Sequence, residues 1–265
     1  MPTRALRTAA SGMYAQQLNI QVIANNIANI NTTSFKKSRA EFSDQIYQEV
    51  STNTENVNIP GIIENVATKL QIGNGVQPTS TQKLFQQGDL QQTGHQLDVA
   101  ISGEGFFQIR KPDGTFAYTR DGSFKISGDG SLATAGGYLI EPGISINDDV
   151  LQVQISDDGT VRVTDVTGDA VEIGTIELAK FINPAGLKAL GDNLYAETEA
   201  SGAPLLGRPN QEGFGILKQG FLESSNVDIV EEMISMITAQ RAYEINSKTV
   251  KTVEEMMTMV NNLRR

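Results

Sequence analysis

Cysteine and tryptophan are both absent from this 265-residue chain, and histidine occurs once. Without Cys there can be no disulfide, no thiolate metal site and no Cys nucleophile. The lone His95 leaves His-based metal clusters and Ser-His-Asp catalysis without a second partner, and it sits in turn-like sequence. Aromatics make up only 6% of the residues. No apolar run reaches the ~18 residues that a helix needs to span a bilayer. Arg4 and Arg7 open the chain, but Ser11, Gln16, Gln17, Asn19 and Gln21 interrupt any signal-peptide core. By the general secretory rule this points to the cytoplasm, unless a dedicated machine reads some other signal. The lack of Cys suits an oxidising compartment without fixing one.

Charge is scarce at the ends and unbalanced between them. The net charge is −10. Residues 1–50 hold five Lys/Arg against three Asp/Glu, and residues 226–265 hold five against six. The middle, 51–225, holds eleven against twenty-two and so carries nearly all the repulsion. That distribution suits ends that pack against other chains and a middle that faces solvent. No basic stripe exists for nucleic acid. Lys36, Lys37 and Arg39 form the one basic cluster, which reads as a solvated helix face.

A catalytic constellation is also missing. Gly103-Glu104-Gly105 begins a phosphate-loop pattern, but position 108 is Gln and the surroundings are strand, so a bend between strands fits better. In Asp121-Gly122-Ser123-Phe124-Lys125, the Lys stands where a Ca²⁺ ligand would be needed. Asp148-Asp149 and Asp157-Asp158 lie in turn sequence. No cofactor or metal is expected.

What the chain does have is an apolar stripe at each end. Leu6, Met13, Ile20 and Ile27 recur every seven residues, as do Ala9, Gln16, Ile23 and Ile30. Ile229, Met233, Met236, Gln240, Tyr243, Val250, Met257 and Val260 mark a second seam. Seven residues is nearly two helical turns, so each series occupies one helix face and needs a cover. The first helix is expected over Arg4–Ile30, ending in an Asn-, Thr- and Ser-rich stretch. There Asn25, Asn26 and Asn29 either mark fraying or bond neighbouring chains. The last helix is expected from Asn226 to Leu263, capped by Ser225. A short helix is expected over Arg39–Val50, with Phe42, Ile46 and Val50 on one face. Ser51–Glu64 reads as a polar loop or arm with a Pro60-Gly61 break. From Leu70 the period falls to two. Asp113-Gly114, Asp121-Gly122, Asp129-Gly130 and Asp158-Gly159 mark turns, and Leu151–Ile155 with Thr160–Val163 forms a hairpin candidate. The fold expected is therefore α+β. Residues 1–45 and 226–265 form a discontinuous, coiled-coil-like helical domain, 46–71 an extended arm, and 72–225 a β-rich outer domain.

Several motifs together resemble the bacterial flagellar rod and hook proteins. At the N-terminus these are Ser11-Gly12-Met13-Tyr14-Ala15-Gln16-Gln17-Leu18, Ile23–Thr32 and Phe35-Lys36. In the middle they are Gly103-Glu104-Gly105-Phe106-Phe107 and Tyr118–Phe124, and at the C-terminus Ser225-Asn226-Val227-Asp228, Glu232-Met233, Met236-Ile237 and Ala239–Lys248. One departure is Ser34, where the family often has Gly, which puts the turn there in question. The resemblance implies a structural, non-enzymatic subunit that stacks helically into a hollow rod. Its implied partners are copies of itself, proximal rod and hook proteins, the surrounding outer-membrane and peptidoglycan ring proteins, and the flagellar export apparatus. Its implied place is the basal body, reached without a cleaved signal peptide. The rival readings are a hook or proximal rod sibling, a secreted carbohydrate-binding β-domain on a coiled-coil stalk, and an enzyme with a carboxylate cleft.

Overall fold

A computed structural model describes residues 2–51, 69–146, 150–165 and 170–263. Most of the polar arm expected over 46–71, the Pro60-Gly61 break and Asp148-Asp149 lie outside the described residues. The chain is α+β, with a helix at each end of a β-rich middle. It forms two compact units, one of Met1–Asn25, Ser38–Gln82 and Val230–Arg265, the other of Asn26–Lys37 and Lys83–Ile229.

The first unit holds most of helix α1 (Pro2–Ala28) and helix α2 (Ile229–Leu263), with strands β1 (Ser38–Asp44), β2 (Gln48–Ser51), β3 (Lys69–Ile72) and β4 (Val76–Lys83). At ~1.5 Å per residue the helices run about 40 and 52 Å. They meet where Gly12 leaves room for Asn246. A Cβ on Gly12 would fall 2.9 Å from the Asn246 amide nitrogen. Further along, Ala5, Thr8 and Ala9 share a groove with Asn246 and Thr249, so the two helices run antiparallel. The strands form two pairs, β1 with β4 and the antiparallel β2 with β3. In place of the helix expected over Arg39–Val50 stand the strands β1 and β2, with a break at 45–47 that holds the exposed Ile46. Phe42, Ile46 and Val50 are four residues apart, and four is two strand periods as well as about one helical turn. The spacing could not separate the two, and ladder pairing decided it.

The second unit holds β5 (Leu90–Gln92), β6 (Val99–Ser102), β7 (Phe106–Arg110), β8 (Phe116–Thr119), β9 (Phe124–Ile126), β10 (Leu132–Thr134), β11 (Leu139–Glu141), β12 (Val150–Ile155), β13 (Thr160–Asp165), β14 (Ala170–Thr175), β15 (Leu178–Lys180), β16 (Lys188–Gly191), β17 (Leu194–Ala196), β18 (Leu205–Gly207), β19 (Ile216–Gln219) and β20 (Phe221–Glu223). The main sheet runs β16-β17-β8-β7-β11-β10-β9, with β15 branching from β7 to reach β18. Strands β12, β13 and β14 form a second sheet. The expected hairpin is present, with Ile155 opposite Val161 and Gly159 turning at φ 85°.

Adjacent phenylalanines divide the core because strand side chains alternate. Phe107 joins Val99, Ile101, Phe124, Leu178 and Leu217 in the larger apolar cluster. Phe106 faces the other way, into an aromatic cluster with Tyr118, Phe181 and Tyr195. Phe85 caps that cluster edge-on to Phe106 at 5.5 Å and to Tyr195 at 5.1 Å.

Gly114, Gly130 and Gly159 turn at positive φ as their Asp-Gly pairs predict. Gly122 has another reason: a Cβ there would fall 1.6 Å from the Val99 carbonyl oxygen, so the backbones touch. Gly122→Ala should cost about 3 kcal/mol, as overpacking does. Gly128→Ala, which faces open space, should stay within about 0.5 kcal/mol of the parent. Urea unfolding of the two variants checks the contrast.

Candidate functional site

The site divides into the faces of the two helices and a buried junction in the β-rich unit. On α2 the covered face carries Glu232, Ala239 and Val253, all buried, with Met236, Asn246, Val250 and Met257 half-buried between them. On α1 the buried residues are Ala9, Ala15, Ile23 and Asn26, while Leu6, Met13, Ile20 and Ile27 are half-buried and Asn25 is exposed; Asn29, in the turn after the helix, is half-buried. The seam expected along α2 is thus split. Met236, Val250 and Met257 are partly covered, whereas Ile229, Met233, Gln240, Tyr243 and Val260 face outward. The Asn residues are engaged within the subunit: Thr32 Oγ1 donates to Asn29 Oδ1 at 3.1 Å, and Asn25 and Asn26 also have partners.

Sequence periodicity missed a second stripe on α2. Val230, Ile234, Ile237, Ile245, Met256, Met259 and Leu263 are all exposed, with Ile237 at 55% and Ile245 at 63%. At ~100° per residue they lie roughly opposite the covered face. Arg241, Lys248 and Thr252 occupy in-register positions of this stripe, so it shows no clean apolar period. A helix apolar on both faces is stable only when both are covered.

The junction is built from motif residues far apart in sequence. The Lys36 and Glu223 side chains are fully buried, and Lys36 Nζ lies 2.5 Å from Glu223 Oε1. Nζ also donates to the Gln86 carbonyl at 2.8 Å. Arg120 Nη1 reaches Glu223 Oε2 at 3.3 Å, while Nε donates to Gly105 O at 3.0 Å and Nη2 to Gly103 O at 2.5 Å. The Gly88 N–H donates to Glu223 Oε1 at 2.9 Å. Lys36 is therefore not on a solvated helix face. Burial pushes its pKa down, and the facing carboxylate opposes that shift. Burial also lowers Lys83, whose Nζ donates to Lys36 O at 3.2 Å.

Ser34 fits the junction without being Gly. It adopts φ 57°, its N–H donates to Glu223 O at 2.8 Å, and its hydroxyl donates to Arg120 O at 2.8 Å. The turn survives because these bonds offset the cost of a left-handed Ser. Asn226 clamps the neighbouring chain. Its Oδ1 accepts from Lys37 N at 2.7 Å. Its Nδ2 donates to Leu84 O at 2.9 Å and Gln86 O at 3.1 Å. That employment explains why α2 starts at Ile229 rather than at Asn226. Ser225, expected to cap the helix, instead accepts from Val227 N at 3.4 Å.

One helix is bare along one face, and among the described residues the buried charges of the β-rich unit are held in a structural junction, features that suit a structural subunit. Comparison with known proteins agrees. Residues 6–36 match the flagella basal body rod protein family, 100–163 the flagellar hook protein FlgE/F/G D1 domain, and 218–263 the flagellar basal body rod FlgEFG protein C-terminal domain. The chain is 51% identical over 267 residues to flagellar basal-body rod protein FlgG of Borreliella burgdorferi, covering 99% of each chain. It is 47% identical to that of Caulobacter vibrioides, covering 98% of this chain and 99% of the relative. With that of Bacillus subtilis the identity is 39%, with 99% of each chain covered. The chain belongs to the flagellar basal-body rod protein family, and it is a structural subunit of the rod.

Glu223→Gln should leave two buried cations without a counter-charge and cost about 3–5 kcal/mol in denaturant unfolding. A second expectation concerns alkaline pH. Burial, helped by the Glu197 charge, raises the Tyr118 phenol from 10.0 to about 12. Burial raises Tyr195 as well. The folded state then holds phenol protons that the unfolded chain releases, so their contribution is complete below pH 10 and is lost as pH rises toward 12. Tyr118→Phe/Tyr195→Phe should flatten the fall in stability across that window.

Proposed function

We propose that this chain is the distal rod subunit, polymerising helically into a hollow shaft that crosses the periplasm, carries torque from motor to hook and conducts exported subunits. The observation that carries this reading is the exposed stripe on α2, from Val230 to Leu263. Each large apolar side chain on it would stabilise a contact by about 1.5–3 kcal/mol if fully buried. Contacts between unlike surfaces continue indefinitely when the rotation does not close, so a polymer is the natural way to cover such a face. The helical ends are nearly neutral, and the excess negative charge lies in the middle of the chain. Close approach of many helix pairs therefore meets little repulsion.

In this reading the α1 and α2 seams named from the sequence pack in a coiled-coil-like inner tube, and the β-rich unit forms an outer layer. The residues around 46–71 serve as an arm that locks neighbours. Proximal rod and hook proteins adjoin the polymer at its ends, the outer-membrane and peptidoglycan rings surround it, and the flagellar export apparatus delivers the subunit. The full-length identity to rod proteins supports the distal rod over a hook protein.

Ile237→Gln/Ile245→Gln tests the stripe. Both side chains are exposed in the subunit, so its unfolding free energy should move by less than about 1 kcal/mol. Assembly should fail, leaving non-motile cells whose purified basal bodies end in truncated rods. Full-length rods and normal swimming would reject the proposal.

A further inference from the structure

Five of the seven methionines lie on α2: Met233, Met236, Met256, Met257 and Met259. The helix places them unequally. Met233, Met256 and Met259 are exposed at 51%, 49% and 58%, whereas Met236 and Met257 are half-buried. Met256 and Met259 stand three residues apart and share a face, and Leu263 lies four further on. Two of the three large side chains in that C-terminal patch are therefore thioethers. Met233 stands three residues after the exposed Val230 and borders the N-terminal patch.

Methionine suits a surface that is both apolar and helical. Its helix propensity is close to that of Leu, and its flexible side chain adapts to a partner. The same sulfur carries lone pairs that a peroxide can reach when the side chain is exposed. The chain has neither Cys nor Trp, so these thioethers are the groups a mild two-electron oxidant meets first. In the reaction the sulfur lone pair attacks one peroxide oxygen. The O–O bond breaks as the S–O bond forms. The sulfur is oxidised by two electrons, and the second peroxide oxygen leaves as water with both protons. The product is a polar sulfoxide in place of an apolar side chain. In the free subunit water satisfies its oxygen. In a covered apolar contact that oxygen would be buried without a donor, which is costly.

We propose that Met233, Met256 and Met259 are sites of peroxide oxidation in the unassembled subunit, and that their sulfoxides bar the chain from the polymer until they are reduced. The inference rests on the polymer reading above and adds a chemical control to its outer stripe. Assembly and oxidation then exclude each other. A covered stripe shields its sulfurs, and an oxidised stripe is no longer covered. Because the three side chains touch solvent in the subunit, oxidation leaves its fold in place.

The full chain would be treated with hydrogen peroxide, quenched, mapped by peptide mass spectrometry and assayed for polymers by sedimentation and electron microscopy. Met233, Met256 and Met259 should gain oxygen before Met236 and Met257, and the urea midpoint should stay in place. The critical concentration for assembly should rise by about tenfold or more. The two sulfoxide reductases that act on the two epimers should restore it. The Met233→Leu/Met256→Leu/Met259→Leu chain keeps the apolar surface and should assemble equally well with or without peroxide. Preformed polymer should spare all three sulfurs. If that variant fails to assemble, repair of the oxidised parent by the reductases decides the question. Equal rates at all five methionines, or an oxidised parent that assembles like the untreated one, would overturn this inference and leave the polymer reading intact. An untreated chain that never polymerises would overturn the two together.

Discussion

The buried carboxylate of Glu223 is the constraint on which the β-rich unit depends. It faces the cations of Lys36 and Arg120 and accepts a backbone bond from Gly88, all in a place that water does not reach. A single carboxylate cannot compensate two full cations by charge alone. The remaining guanidinium and ammonium protons are taken up by the carbonyls of Gly103, Gly105 and Gln86. Such a cluster contributes little net stability compared with apolar packing, but removing any one member is severe. Its effect is to specify geometry. The segment after α1, the β6–β7 bend, the end of β8 and the end of β20 must all converge before any of these charges is satisfied. The Asn226 clamp adds a neutral version of the same device, tying Lys37, Leu84 and Gln86 to the chain that leads into α2.

Within the helical unit, many of the large apolar residues of α2 are left outside the covered face. The residues buried in the subunit include Ala9, Ala15 and Ala239, and Gly12 admits the Asn246 side chain. Ile23 and Val253 are buried with them, so the covered faces mix small and branched side chains. The bulky apolar residues Ile234, Ile237, Ile245, Met256 and Met259 are left outside. In the proposed polymer this division would have a physical use: the covered faces belong to one chain, whereas the outer stripe would gain stability only when other copies are present.

Much of the architecture was legible in sequence. The heptad spacing of Leu6, Met13, Ile20 and Ile27 placed α1, and the Asp-Gly pairs at 113, 129 and 158 placed turns at positive φ. Two things were not legible. The four-residue spacing of Phe42, Ile46 and Val50 suits a helix turn, but it runs across two strands and the break between them, so local pattern misled. The junction was hidden for a different reason. Lys36 and Glu223 are 187 residues apart, and Lys36 sits in a row of three cations that resembles an ordinary solvated surface. The motif residues around it gave the only signal. Phe35-Lys36, Gly103–Phe107, Tyr118–Phe124 and Ser225–Asp228 stand out along the chain as four unrelated stretches, and the fold brings members of all four to one place. The outer stripe of α2 escaped because Arg241, Lys248 and Thr252 interrupt its period.

That interruption bears on how such a surface can exist in solution at all. An unbroken apolar stripe along a helix of about 52 Å would drive non-specific association long before ordered assembly. Placing two cations and a Thr in register divides the stripe into an N-terminal patch, Val230 to Ile237, an isolated Ile245, and a C-terminal patch, Met256 to Leu263. Each patch alone is a weak contact. Only a partner that matches both the spacing of the patches and the positions of Arg241 and Lys248 covers them together. In the proposed polymer, specificity would come from the polar interruptions and affinity from the apolar patches, the combination a fixed register requires.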